Sequence, residues 1–81
     1  MGTITLKAAR VNKGMTQDEA AKAIGISPET LSNYERGNSF PDVPIILKIE
    51  MVYGVQFSDI IFLPNNHDLI VKNKMVNNKV G

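Results

Sequence analysis

The sequence predicts an all-α fold, a compact five-helix domain over residues 1–63 with a short C-terminal extension over residues 64–81. Three observations carry this expectation. Helix start signals recur along the chain: Thr16 with Glu19, Ser27 with Pro28, and Asp42 each stand before an apolar-periodic run. Gly14, Gly25, Gly37 and Gly54 each follow such a run, where a closing residue belongs. Between these marks the apolar residues fall at helical spacing.

The first helix is expected over Ile4–Lys13, with Leu6, Ala9 and Arg10 on one face. The second spans about Gln17–Ile24. Thr16 and Glu19 form its capping box, Met15 and Ala20 its hydrophobic staple, and Ala20, Ala21 and Ile24 its buried side. The third spans about Pro28–Arg36. Ser27 caps it, Pro28 takes the first helical position, where a missing N–H costs nothing, and Ile26 and Leu31 form a second staple. Leu31 and Tyr34 are placed inward. After the loop 38–41, Asp42 caps a fourth helix running to about Tyr53, with Ile45, Ile46, Ile49 and Val52 as its apolar side. The fifth is short and apolar, about Phe57–Phe62. Beyond Pro64, Asn65–Asp68 reads as a polar turn, Leu69–Val71 as one brief strand, and Lys72–Gly81 as a frayed end. No internal repeat is present.

Composition narrows the function classes. A chain of 81 residues has little room for an enzyme's layered core and cleft. The absence of cysteine excludes a disulfide framework or thiolate metal site and suits a reducing, cytoplasmic setting. No apolar run approaches a membrane span, and the N-terminus lacks a signal-peptide pattern. His67 has neither cysteine nor clustered carboxylates as partners, so it reads as a surface turn residue; the serines have no base beside them. No enzyme activity, cofactor or metal is expected.

Two capped helices joined by a glycine turn over Thr16–Gly37 describe a helix-turn-helix. With Gly14-Met-Thr-Gln17, Ala21…Ile24-Gly-Ile-Ser27, Leu31-Ser-Asn-Tyr-Glu-Arg-Gly37 and Gly54-Val55 in this order, the chain resembles the XRE/Cro-type, lambda-repressor-like helix-turn-helix family. The resemblance covers about Leu6–Leu63. It implies a DNA-binding domain in which the second and third helices read DNA, usually as a dimer. It also implies that Arg10 and Glu35 form a partly buried ion pair tying the first helix to the third. Three features depart from the usual pattern: Glu50 replaces a small apolar residue, Gln56 replaces a hydroxyl or acidic cap, and the loop 38–41 carries no Lys or Arg.

If Leu31 and Tyr34 face inward, the opposite arc of the third helix is Ser27, Pro28, Glu29, Ser32 and Asn33, matching the family's base-reading positions. Asn33 suits an adenine edge, Glu29 a cytosine amino group and Pro28 a thymine methyl, while Ser32 is permissive. Thr16 and Gln17 open the second helix, where free N–H groups favour a phosphate. Arg10, Arg36, Asn38 and Ser39 complete the expected phosphate contacts, with Lys7, Lys13 and Lys22 as weaker candidates.

Charge complicates this reading. Residues 1–63 carry six basic and seven acidic side chains, a net −1, and the extension adds +2. DNA affinity would then come from positioned polar groups and helix ends. The expected function is a sequence-specific transcription regulator, a repressor from a phage, mobile element or bacterial chromosome, bound to a double-stranded operator. Surplus apolar residues in Ile60–Leu63 and Leu69–Val71 suggest a homodimer. No membrane or small-molecule partner is expected. The alternative is a protein-binding helix-turn-helix, such as an antitoxin or a regulator that masks a partner protein.

Overall fold

The computed structural model describes residues 2–62. In chain order the elements are β1 (Ile4–Thr5), α1 (Leu6–Asn12), α2 (Gln17–Ile24), α3 (Pro28–Arg36), α4 (Val43–Tyr53), a single 3-10 turn (Phe57–Asp59) and β2 (Ile60–Ile61). Four α-helices surround one core. Leu6 and Ala9 of α1, Ala20, Ala21 and Ile24 of α2, Leu31 of α3, Ile49 and Tyr53 of α4 and Ile60 of β2 are all buried. Ala20 and Ala21 lose all exposure. Their small side chains let α2 lie close to its neighbours, so short helices suffice to enclose the core.

Each α-helix is capped by a side chain. Thr5 Oγ1 accepts from Ala8 N at 3.1 Å, Ser27 Oγ from Thr30 N at 3.1 Å, and Asp42 Oδ1 from Ile45 N at 3.2 Å. Thr16 and Glu19 complete a reciprocal capping box, at 3.1 Å and 2.9 Å. Gly25 closes α2 at φ 96°, ψ 30°, left-handed backbone that a Cβ would oppose. Its N–H donates to Ala21 O at 2.8 Å.

Two expectations need correction. The first helix begins at Leu6, because Thr5 caps it and Ile4–Thr5 instead pair in parallel with Ile60–Ile61, Ile4 opposite Ile60 and Thr5 opposite Ile61. The expected fifth helix over Phe57–Phe62 is one 3-10 turn followed by a strand. Gln56 supplies no side-chain cap, and the β-branched Ile60 and Ile61 favour the extended pairing with β1. The fold is therefore helix-dominated, with four α-helices and a two-stranded clasp joining its ends among the described residues.

The two unusual residues at this end explain each other. Glu50, on α4, accepts from the backbone N–H of Phe57 at 2.7 Å. It thus caps the 3-10 turn from a distance, the task that Gln56 leaves undone. Phe62 then sits against Phe57 and edge-on to Phe40, with ring centroids 5.6 Å and 6.2 Å apart. The expected strand at Leu69–Val71, the turn containing His67 and the frayed end lie outside the described residues.

Candidate nucleic-acid interface

The interface rests on how α3 is held. Leu31 is fully buried and Glu35, one turn later, is 7% exposed, so these two residues define the inner side of α3. Tyr34 is half-buried and packs beside the core. Burial, with the nearby Asp42 charge, raises its phenol pKa. The inward pair is thus Leu31 and Glu35 more than Leu31 and Tyr34. A carboxylate inside the domain needs partners.

It has three donors. Arg10 Nε donates to Glu35 Oε2 at 2.7 Å, Arg10 Nη2 to Oε1 at 3.3 Å, and Gln17 Nε2 to Oε1 at 2.9 Å. Arg10 Nη1 donates to the Met15 carbonyl at 2.9 Å. One carboxylate on α3 therefore gathers α1 and α2. The hydrogen bond to Glu35, supported by its charge and opposed by burial, raises the Arg10 pKa above its already high ordinary value. The ion pair implied by the resemblance is present. The Gln17 contact was not foreseen, and no spacing rule could have found it, since 18 residues separate the partners.

Around this brace the expected DNA-facing residues divide into two groups. Ser27, Pro28 and Glu29 are exposed at the start of α3, and Ser32 and Asn33 are half-buried further along. Ser27 is engaged in its own cap and also donates to Thr30 Oγ1 at 2.8 Å. Arg36, exposed in the last turn, donates to Ser32 Oγ at 2.6 Å and to Asn33 Oδ1 at 2.8 Å. Asn38 Nδ2 reaches the same Asn33 oxygen at 3.4 Å. Residues expected to read bases and residues expected to hold phosphate thus form one network.

The other expected phosphate contacts are placed differently. Arg10 is buried, and its guanidinium is engaged by Glu35 and Met15. The Gln17 amide is turned toward Glu35. Thr16 is exposed, but its hydroxyl and N–H are used within the capping box. Asn38 and Ser39 are exposed beyond α3. Lys13 lies near Gly54, at the C-terminus of α4, where a cation complements the helix dipole. No group of three His, Cys, Asp or Glu that could hold a metal occurs among the described residues, and no helix there is long and apolar enough to cross a membrane.

Two helices locked at a glycine turn, the second with its polar N-terminal arc outward, define a helix-turn-helix unit. A family model described as helix-turn-helix matches residues 6–60, and the chain belongs to the XRE-type helix-turn-helix family. The chain is similar to the HTH-type transcriptional regulator ImmR of Bacillus subtilis strain 168, 38% identical over 80 residues, covering 93% of this chain and 61% of that protein. An uncharacterized HTH-type transcriptional regulator of Methanocaldococcus jannaschii is 34% identical over 55 residues, 68% of this chain and 83% of that protein. The cryptic phage CTXphi transcriptional repressor RstR of Vibrio cholerae is 31% identical over 52 residues, 64% of this chain and 47% of that protein. The chain thus spans about three fifths of ImmR and about half of RstR.

Proposed function

We propose that this chain is a sequence-specific double-stranded DNA-binding transcription regulator, acting as a repressor, that inserts α3 into the major groove as a homodimer. The observation that carries this reading is the polar side of α3, with Ser27, Pro28 and Glu29 exposed and Ser32 and Asn33 half-buried, on a helix whose inner side is anchored through Glu35 to α1 and α2. Such bracing fixes the angle at which a recognition helix is presented. The printed names of ImmR and RstR, a regulator and a repressor, support the same role.

In this reading the arc contacts base edges, and the backbone N–H groups that open α2 at Gln17 face a phosphate. Arg36, Asn38 and Ser39 hold the backbone beyond α3. Arg10 and the Gln17 side chain act as positioning residues through Glu35. The dimer contact draws on apolar side chains left exposed by the core: Val43, Leu47 and Met51 recur every four residues along α4, with Phe57 and Ile61 beyond it. Ile60, expected to contribute, is spent on the core. A twofold pair would place two α3 helices about 34 Å apart on one DNA face.

The test is an electrophoretic mobility shift with DNA from upstream of the protein's own gene. A dyad-containing site bound in preference to random DNA, with that preference lost in Asn33→Ala, is expected. Equal binding to random DNA at low salt would sink the proposal and favour a protein-binding role.

A further inference from the structure

One cation organises the second half of the α3 arc. Arg36 reaches back along its own helix, bonding Ser32 Oγ at 2.6 Å through Nη1 and Asn33 Oδ1 at 2.8 Å through Nη2. Asn38 Nδ2 adds a contact to Asn33 Oδ1 at 3.4 Å. A guanidinium has donors only, so the Asn33 amide must turn its oxygen toward Arg36. That oxygen has two lone pairs, and Arg36 and Asn38 address both. What Asn33 has left to offer is its NH2 group. Ser32 Oγ accepts from Arg36 as well, but it keeps a second lone pair and its hydroxyl proton, so it stays permissive.

We infer that Arg36 is a specificity-determining residue, which makes Asn33 a donor-only reader selecting guanine over adenine at the base it meets. The inference rests on the DNA-reading role proposed above. In the major groove guanine presents two neighbouring acceptors, N7 and O6, whereas adenine presents the N7 acceptor beside the N6 amino donor. An unconstrained asparagine matches adenine with both ends of its amide. With its oxygen engaged, Asn33 would set N–H against the adenine amino group. Turning the amide to suit adenine would break the contact to Arg36, a hydrogen bond strengthened by charge.

The experiment is selection from randomised duplex DNA with the full chain and two variants. The base position read by residue 33 is the one whose preference flattens in Asn33→Ala. There the unaltered chain is expected to select guanine. Arg36→Met, with the oxygen released, is expected to move that position toward adenine by roughly tenfold, while positions read by neither Asn33 nor Ser32 keep their preference. If Arg36→Met binds too weakly for selection, the selection is repeated at lower salt with the same expectation, since this raises affinity for the backbone without restoring a donor to Asn33. Adenine selected by the unaltered chain, no position flattened by Asn33→Ala, or an unchanged preference in the Arg36 variant would each overturn this inference while an enriched site leaves the DNA-reading role standing. No enriched site at all would overturn both.

Discussion

At the scale of single residues, Glu35 is the side chain that holds the helix-turn-helix unit together. Its carboxylate is buried and receives donors from two other helices. Removing one partner of such a pair strands a buried charge. Glu35→Ala is therefore expected to cost about 3–5 kcal/mol in urea unfolding, and Arg10→Met with Glu35→Leu to recover most of that loss. Tyr53 offers a second test. Its hydroxyl is buried at the end of α4 with no hydrogen-bond partner among the described residues. Burial, then the Glu35 charge, with Arg10 opposing, pushes its pKa from 10.0 up to about 12. The folded chain holds this proton more tightly than the unfolded one. Its contribution to stability is complete below pH 10 and is lost as the pH climbs toward 12. Tyr53→Phe is expected to lack that alkaline loss and, at neutral pH, to gain roughly 1 kcal/mol by removing the unpaired hydroxyl. Unfolding curves across pH 7–12 check both expectations.

At the scale of elements, the α2–α3 turn depends on backbone conformation more than on space. A Cβ at Gly25 would meet nothing within 4 Å among the described residues, yet its φ is +96°. Gly25→Ala is expected to cost about 1–2 kcal/mol, the penalty of left-handed backbone alone. A much larger loss in thermal unfolding would show that the turn is also crowded. The 3-10 turn after α4 depends instead on Glu50. Glu50→Ala is expected to speed hydrogen exchange of the Phe57 amide about tenfold while leaving the Gly25 amide unaffected, because only the distant cap is lost.

For the whole molecule, electrostatics sets the behaviour to look for. Residues 1–63 carry a net −1, and one of their six cations, Arg10, is committed to a buried pair. Each phosphate neutralised contributes roughly −0.9 to the slope of log K against log salt. The chain is expected to show a slope on the order of −3, measured on its selected site between low and moderate salt. A slope several times steeper would mean that DNA meets a different surface.

Local rules made much of this fold legible. The side-chain caps at Thr16, Ser27 and Asp42 and the glycine closures at Gly25, Gly37 and Gly54 stand where the sequence placed them, because capping involves neighbours within four residues. The apolar pattern of Phe57–Phe62 suits either helix or strand, so local spacing predicts a helix where the fold has a 3-10 turn and a strand. The decision came from β1, more than 50 residues away, which gave Ile60 and Ile61 a strand to pair with. The interface divides along the same line. The exposure of Ser27, Pro28 and Glu29 at the start of α3 is legible in the sequence, whereas the half-burial of Ser32 and Asn33 and the turning of Gln17 toward Glu35 need α2 and α3 already packed. By itself, then, the sequence determined the helices, their caps and the turn that joins α2 to α3. Only the tertiary structure decided which polar side chains brace α3 and which face outward, because a buried carboxylate draws in every donor that packing brings within reach.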